Sequence, residues 1–400
     1  MDSTRRSVWR QLLLSATACA VALLLGELLC RVLLPVPQVV QVAADPEGPA
    51  AGTDLDPAEF VFGRNPEQGG LYVNTSAGRR LRPNTHVRIR KHYLSRREIE
   101  IRINARGYRN RTISAKTKPR VLFLGDSITF GDYLPEEETF VRRVETLSAN
   151  GARPLETVNA GIGAIGLQNA LSILMETGIG IDPDVVVIGF YLNDFRPSPG
   201  ITILMDHPLM QRSRLLYHGN GALARLRLRF AKNPDGGESP LPLSDWARAV
   251  ATAFPPGFGD PATDAAAFNG LIQEHFGDWG GAWSDAVWER ITPVFAAFKR
   301  QAEQHGFQLA IVMFPVRLQV DAEFVNDYPQ QKMKAVATSL DVPRLDLLPE
   351  LRQASRETAT PLFYDQCHHT PAGNRLIAAW ILTFLDQLAE SGRRTEMPAD

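Results

Sequence analysis

Val121-Leu122-Phe123-Leu124-Gly125-Asp126-Ser127-Ile128-Thr129-Phe130-Gly131 joins four consecutive apolar residues to a Gly-Asp-Ser turn. A strand that is apolar at every position has both faces covered, as in a parallel sheet sandwiched between helices. In an open α/β sheet, reactive groups gather at the carboxyl ends of the strands, and Ser127 stands at that end of this one. A serine hydroxyl is a weak nucleophile until a base lies within hydrogen-bond reach. Taken alone, Ser127 reads equally well as the N-cap of the helix expected after it.

Moving outward, further short apolar runs occur at 157–158, 185–188, 309–314 and 345–347, with helical patterns at 136–147, 167–176, 285–304, 330–339 and 371–388. Alternating β and α segments predict an α/β fold, a parallel sheet with helices on both faces, over residues 119–392. Residues from about 200 to 280, rich in Arg, Pro, Gly and Trp, interrupt the alternation and read as a helical insertion. Upstream, residues 86–90 and 98–103 alternate apolar and polar as half-buried antiparallel strands do, and Asn104–Arg109 reads as a turn. Residues 71–118 are therefore expected to form a small β preface. Residues 36–70, rich in Pro, Gly, Ala and Asp without periodicity, read as a linker.

Three further blocks bear on chemistry. Near the C-terminus runs Tyr364-Asp365-Gln366-Cys367-His368-His369-Thr370-Pro371. An Asp three residues before a His can hold one imidazole nitrogen and leave the other free to take a proton, which favours His368 over His369 as a base. The alternative is a loop Asp capping the helix that starts at Pro371. Zinc would need a second ligand cluster, and none accompanies Asp365, His368 and His369, so no metal or other cofactor is expected. Cys367 beside His368 would make a cysteine–histidine pair only by pointing away from the Asp365–His368 bond. The second block, Val158-Asn159-Ala160-Gly161-Ile162-Gly163-Ala164-Ile165-Gly166, follows a strand with a glycine-rich turn whose backbone N–H groups can converge on an anion. In the third, Gly189-Phe190-Tyr191-Leu192-Asn193-Asp194, a side-chain amide is available to a developing oxyanion.

In this order and at these strand ends, the four blocks resemble those of the SGNH/GDSL hydrolase family. The resemblance implies a flavodoxin-like three-layer αβα fold with a parallel five-stranded sheet, and hydrolysis or transfer of an acyl ester. It implies Ser127 as nucleophile and as oxyanion donor through its backbone N–H, His368 as base, Asp365 as its orienter and Asn193 as side-chain donor. Counted from Asn159, the position of the family's second-block glycine is Ala164, whose N–H serves if its φ is negative; Gly163 is the alternative donor. The third block also carries Leu192 and an aromatic pair before Asn193, where shorter Gly-x-Asn-Asp forms are usual. The Asn104–Arg109 turn and Phe314-Pro315-Val316-Arg317-Leu318-Gln319 resemble bacterial membrane-tethered members, which are often linked with acetyl groups on cell-envelope or exported polysaccharide. The expected substrate is thus an acylated carbohydrate or another ester. A polysaccharide O-acetyltransferase, a lipid esterase or thioesterase, and a non-catalytic polysaccharide-binding protein are the alternatives; the last expects Ser127, Asp365 and His368 not to converge.

The 400 residues carry a formal net charge of -1, which gives no reason to expect nucleic acid as a partner. Three cysteines, two of them in the apolar N-terminal stretch, form no framework. Arg5, Arg6 and Arg10 precede a charge-free run at 12–26, and apolar residues continue to Leu34 around Glu27 and Arg31, which are spaced to pair on a helix. Residues 1–35 therefore read as a single-pass anchor, with the basic flank in the cytoplasm and the remainder on the periplasmic side. A cleaved signal peptide is the rival reading. The cluster Arg212, Arg214, Arg225, Arg227 and Arg229 reads as a solvated helix face, and Trp246, Trp279, Trp283 and Trp288 as packing of the insertion.

Overall fold

The structure is a computed structural model that describes residues 2–33, 52–55, 71–75, 78–89, 92, 94–196, 213, 215–216, 265–276, 278–322 and 325–396. Helix α1 (Asp2–Leu33) leads the chain. Arg31 and Glu27 form the expected i,i+4 pair at 2.7 Å. The preface follows with β1 (Gly52–Leu55), the hairpin β2 (Tyr72–Thr75) and β3 (Gly78–Leu81), β4 (Thr85–Ile89) and β5 (Ile99–Ile103). Strands β4 and β5 pair antiparallel and bury alternate residues: Thr85, Val87 and Ile89 on one strand, Ile99, Ile101 and Ile103 on the other. This is the period-2 pattern of a sheet with one covered face. Strand β1 lies inside the stretch read as linker and pairs parallel to β4, so part of that stretch belongs to the preface sheet.

The main sheet contains β6 (Arg120–Gly125), β7 (Glu156–Asn159), β8 (Val185–Tyr191), β9 (Gln308–Phe314) and β10 (Arg344–Asp346). Their order is β10-β9-β8-β6-β7, with every neighbouring pair parallel. Counted within the sheet this is 2-1-3-4-5, the flavodoxin-like order, which makes the crevice between β6 and β8 the topological switch point. Every residue of β6 is buried, as are six of the seven residues in each of β8 and β9. The helices are α2 (Ser127–Phe130), α3 (Phe140–Ser148), α4 (Leu167–Ile173), α5 (Ala265–His275), α6 (Asp285–His305), α7 (Arg317–Asp321), α8 (Tyr328–Ser339), α9 (Leu348–Glu357) and α10 (Pro371–Glu396). Helix α3 packs with α10, whereas α6 packs with α4 and α8, giving one group for each face of the sheet.

Helix α5 and a 3-10 turn at Gly280–Trp283 belong to the C-terminal end of the insertion. Trp279, Trp283 and Trp288 are buried, as packing residues should be. Trp246 and the five arginines from Arg212 to Arg229 lie outside the described residues.

Candidate active site

Ser127 begins α2 directly after β6. Asp126 caps that helix, its Oδ1 accepting from the Ile128 N–H at 2.9 Å, so the capping role falls to the residue before the serine and leaves the Ser127 hydroxyl free for other use. The turn behind it is held from two sides. Asn159 Nδ2 donates to the Thr129 carbonyl at 2.9 Å. Arg109, fully buried, donates to the carbonyls of Phe130, Gly131 and Leu134. Its own turn is closed by Asn104, whose Oδ1 accepts from the N–H groups of Arg106 and Tyr108.

His368 Nε2 lies 2.9 Å from Ser127 Oγ, and His368 Nδ1 lies 2.7 Å from Asp365 Oδ2. Asp365 Oδ1 also accepts from the backbone N–H groups of Cys367 and His368, at 2.9 and 2.8 Å. Burial alone would raise the Asp365 pKa, but the charge of His368 and these hydrogen bonds hold it below the ordinary carboxylate value. For His368, burial works downward and is outweighed by Asp365 and by the more distant Asp132 and Asp126, which push the imidazole up to about 9. Tyr133 packs edge-on against the His368 ring at 4.9 Å.

His369 is turned the other way, buried between Phe314 and Phe363. Burial drives its pKa down to about 3, so it is a neutral packing residue. Cys367 Sγ is 3.5 Å from His368 Nδ1, but burial pushes the thiol well above its ordinary pKa and denies it thiolate character. Asp365, Cys367 and His368 present ligand atoms within 4.8 Å of one another. Among these atoms, Asp365 Oδ2 and both His368 ring nitrogens make the contacts that join Asp365 to His368 and His368 to Ser127.

The oxyanion candidates lie at the ends of β6, β7 and β8. Among the described residues, the backbone N–H groups of Ser127, Gly163 and Ala164 have no intramolecular acceptor. Ala164 does not have the negative φ expected of it: its φ is 57°, in the left-handed region, and the residue is exposed. That conformation costs an alanine roughly 1–2 kcal/mol without removing its N–H. The reason is the turn itself, which is pinned on both sides. Arg79 of β3 donates to the Gly163 carbonyl at 3.1 Å, and at Gly166 a side chain would meet the Arg196 carbonyl oxygen at 2.0 Å. Gly166 therefore serves a close approach of two backbones rather than anion binding.

Asn193 follows β8. Its amide is not idle: Nδ2 lies 3.4 and 3.3 Å from the two carboxylate oxygens of Asp278. Asp278 in turn accepts from Arg196 at 2.7 Å. No motif marked Asp278 or Arg196 in the sequence, because their partners lie 85 and 82 residues away. Asp132 and Tyr133, beside His368, were likewise unmarked.

No protein-family profile matches the sequence, and no curated protein matches it significantly. Solved structures with a similar chain path include an acetyl xylan esterase, with 13% identity over 66% of this chain and 98% of that one, at a TM-score of 0.36. Another is a catalytic mutant of an acetylxylan esterase from Geobacillus stearothermophilus, with 14% identity over 68% and 95% of the two chains and a TM-score of 0.38. A third, assigned to the G-D-S-L lipolytic family, comes from Desulfitobacterium hafniense, with 12% identity over 66% and 98% and a TM-score of 0.33.

Proposed function

We propose that this chain is a serine-dependent acyl-ester hydrolase of the SGNH/GDSL type, anchored by α1 and acting on the periplasmic side of the membrane. The observation that carries the reading is the unbroken chain Asp365–His368–Ser127: a 2.7 Å contact between Asp365 and His368, three residues apart, and a 2.9 Å contact between His368 and Ser127, 241 residues apart in sequence. The non-catalytic alternative expects those groups out of reach of one another, and the 2.9 Å contact speaks against it.

In the proposed reaction, Ser127 Oγ attacks the ester carbonyl while His368 Nε2 takes its proton, and Asp365 steadies the imidazolium. The oxyanion receives hydrogen bonds from the Ser127 backbone N–H, from the second-block turn through the Gly163 or Ala164 N–H, and from Asn193 Nδ2. The intermediate collapses to an acyl-serine as His368 returns the proton to the departing alcohol. Water, activated by the same imidazole, then releases the acid; a sugar hydroxyl taking its place would make the enzyme a transferase. The resemblance to membrane-tethered members favours acetyl groups on envelope or exported carbohydrate as the substrate. Ser127→Ala should reduce turnover of a chromogenic acetyl ester by at least about 10³-fold, as loss of a covalent nucleophile does. Equal rates for the variant and the wild type would sink the reading.

A further inference from the structure

Asn193 lies two residues beyond β8, at the switch-point crevice, and an asparagine amide presents donors at one end and an acceptor at the other. An oxyanion is served only by the donor end. Something must therefore fix which end faces the crevice, since the two orientations fill the same volume.

The structure supplies such a group. Asp278 brings both carboxylate oxygens to 3.3 and 3.4 Å from Asn193 Nδ2, a place where an amide oxygen would be repelled. The carboxylate does not stand alone. Arg196, three residues after Asn193, donates to Asp278 Oδ1 at 2.7 Å, offsetting a negative charge that would otherwise oppose an oxyanion nearby.

The described residues around Asp278 pack on the turn that follows β8. Phe276 and Trp279 stack at 4.4 Å, and Trp279 packs on Trp283 at 5.5 Å. The Trp283 indole N–H donates to Asn326 at 2.7 Å. At Gly281 any side chain would meet the ring of Phe195, two residues after Asn193, at 2.5 Å. Arg290 of α6 donates to the Phe195 carbonyl at 3.2 Å, tying the same turn from behind.

We infer that Asp278, charge-balanced by Arg196, is a positioning residue for the oxyanion hole: it turns the Asn193 amide donor end toward the reacting carbonyl from a segment outside the α/β core. The inference rests on the proposed serine-hydrolase reading. It gives the C-terminal end of the insertion a part in catalysis, and it makes Asp278 act through Asn193 rather than on the substrate.

A double-mutant cycle tests it, with steady-state kinetics on a small acetyl ester. Asp278→Asn should lower kcat about 10- to 100-fold with KM changed less than about twofold, because an isosteric amide no longer selects one orientation of its neighbour. In an Asn193→Ala background the same change should have less than about a twofold effect, since the group through which Asp278 acts is gone. Arg196→Gln, measured in the same way, should reproduce a smaller kcat loss that also vanishes in the Asn193→Ala background. These readouts do not follow from destabilisation alone, which would multiply in both backgrounds. An equal loss in both backgrounds, a loss confined to KM, or a gain in kcat on replacing Asp278 each overturns the inference. Ser127→Ala run alongside separates the levels: an active S127A overturns the site reading and this inference together, whereas an inert S127A with a multiplicative cycle overturns the inference only.

Discussion

His368 is set by opposed forces. Burial disfavours its charged form, yet Asp365 at 2.7 Å, together with Asp132 and Asp126, favours it more strongly and moves the pKa to about 9. A general base must be neutral to accept the serine proton, so kcat/KM should rise about tenfold per pH unit below that pKa and level off above about 9. Replacing Asp365 with Asn removes the largest influence holding the proton on. The limb should then shift to lower pH, while the plateau falls by about 10²–10⁴ as the imidazole loses its orientation. A pH–rate profile of D365N with its limb unmoved would show that another group sets the titration. At this scale sequence was informative wherever partners were local: Asp365 and His368 are three residues apart and were legible as a pair. Asp278 was not, because a carboxylate in an Asp-Trp context carries no spacing signal until the chain folds. Nor was the sign of φ at Ala164, in a turn that Arg79 and the Arg196 carbonyl hold on either side.

Among the elements, the preface is coupled to the nucleophile turn through Arg109. Its guanidinium, with no exposure, donates to three carbonyls around the end of α2 and lies over the Phe130 ring at 5.6 Å. Arg109→Met preserves much of the volume but leaves the Leu134 carbonyl without its donor, and leaves Phe130 and Gly131 with only the weaker Asn159 contact at 3.4 Å and the Leu134 N–H at 3.0 Å. We expect a loss of about 3 kcal/mol in stability, near 8 °C in midpoint for a domain of this size, together with reduced turnover as the Ser127 turn loosens. Thermal unfolding and acetyl-ester kinetics on one preparation would measure both, and an unchanged midpoint would mean that the preface folds apart from the sheet domain. The Asn104–Arg109 turn was visible in sequence; the destination of its arginine was not. The central strands β6, β8 and β9 were legible because burial on both faces leaves continuous apolar runs, whereas the edge strands β7 and β10 carry polar residues and left only two- or three-residue traces. The hairpin β2–β3 escaped notice for the converse reason. Its four-residue strands carry polar side chains that are covered only by forming partners, as Arg80 does with Glu176 at 2.6 Å and with Ser172 at 2.7 Å.

At the scale of the whole molecule, α1 stands apart from the sheet domain in its chemistry. Its apolar stretch Leu13–Leu33 spans 21 residues, about 31 Å of helix, which matches the hydrocarbon thickness of a bilayer. Leu13, Leu24 and Val32 are 68%, 70% and 72% exposed, so among the described residues these side chains have little cover. Such a helix serves either as an anchor or as a signal sequence. The charges near its end bear on the choice. Glu27 is paired with Arg31 and also accepts from the Ser213 hydroxyl at 2.7 Å and the Leu215 N–H at 2.9 Å. A carboxylate with three donors is tolerable at a membrane surface, and the contact uses part of the helix that signal cleavage would discard. In the proposed topology the basic residues Arg5, Arg6 and Arg10 stay in the cytoplasm, which would put Ser127 and His368 on the opposite side. The full-length protein should therefore remain in the membrane pellet after alkaline extraction and require detergent for release. Intact mass of the extracted chain should retain α1, and protease added to spheroplasts should reach the domain containing Ser127. A soluble periplasmic chain lacking the first 26 or more residues would replace the anchor with a signal peptide, and protection from protease would reverse the orientation.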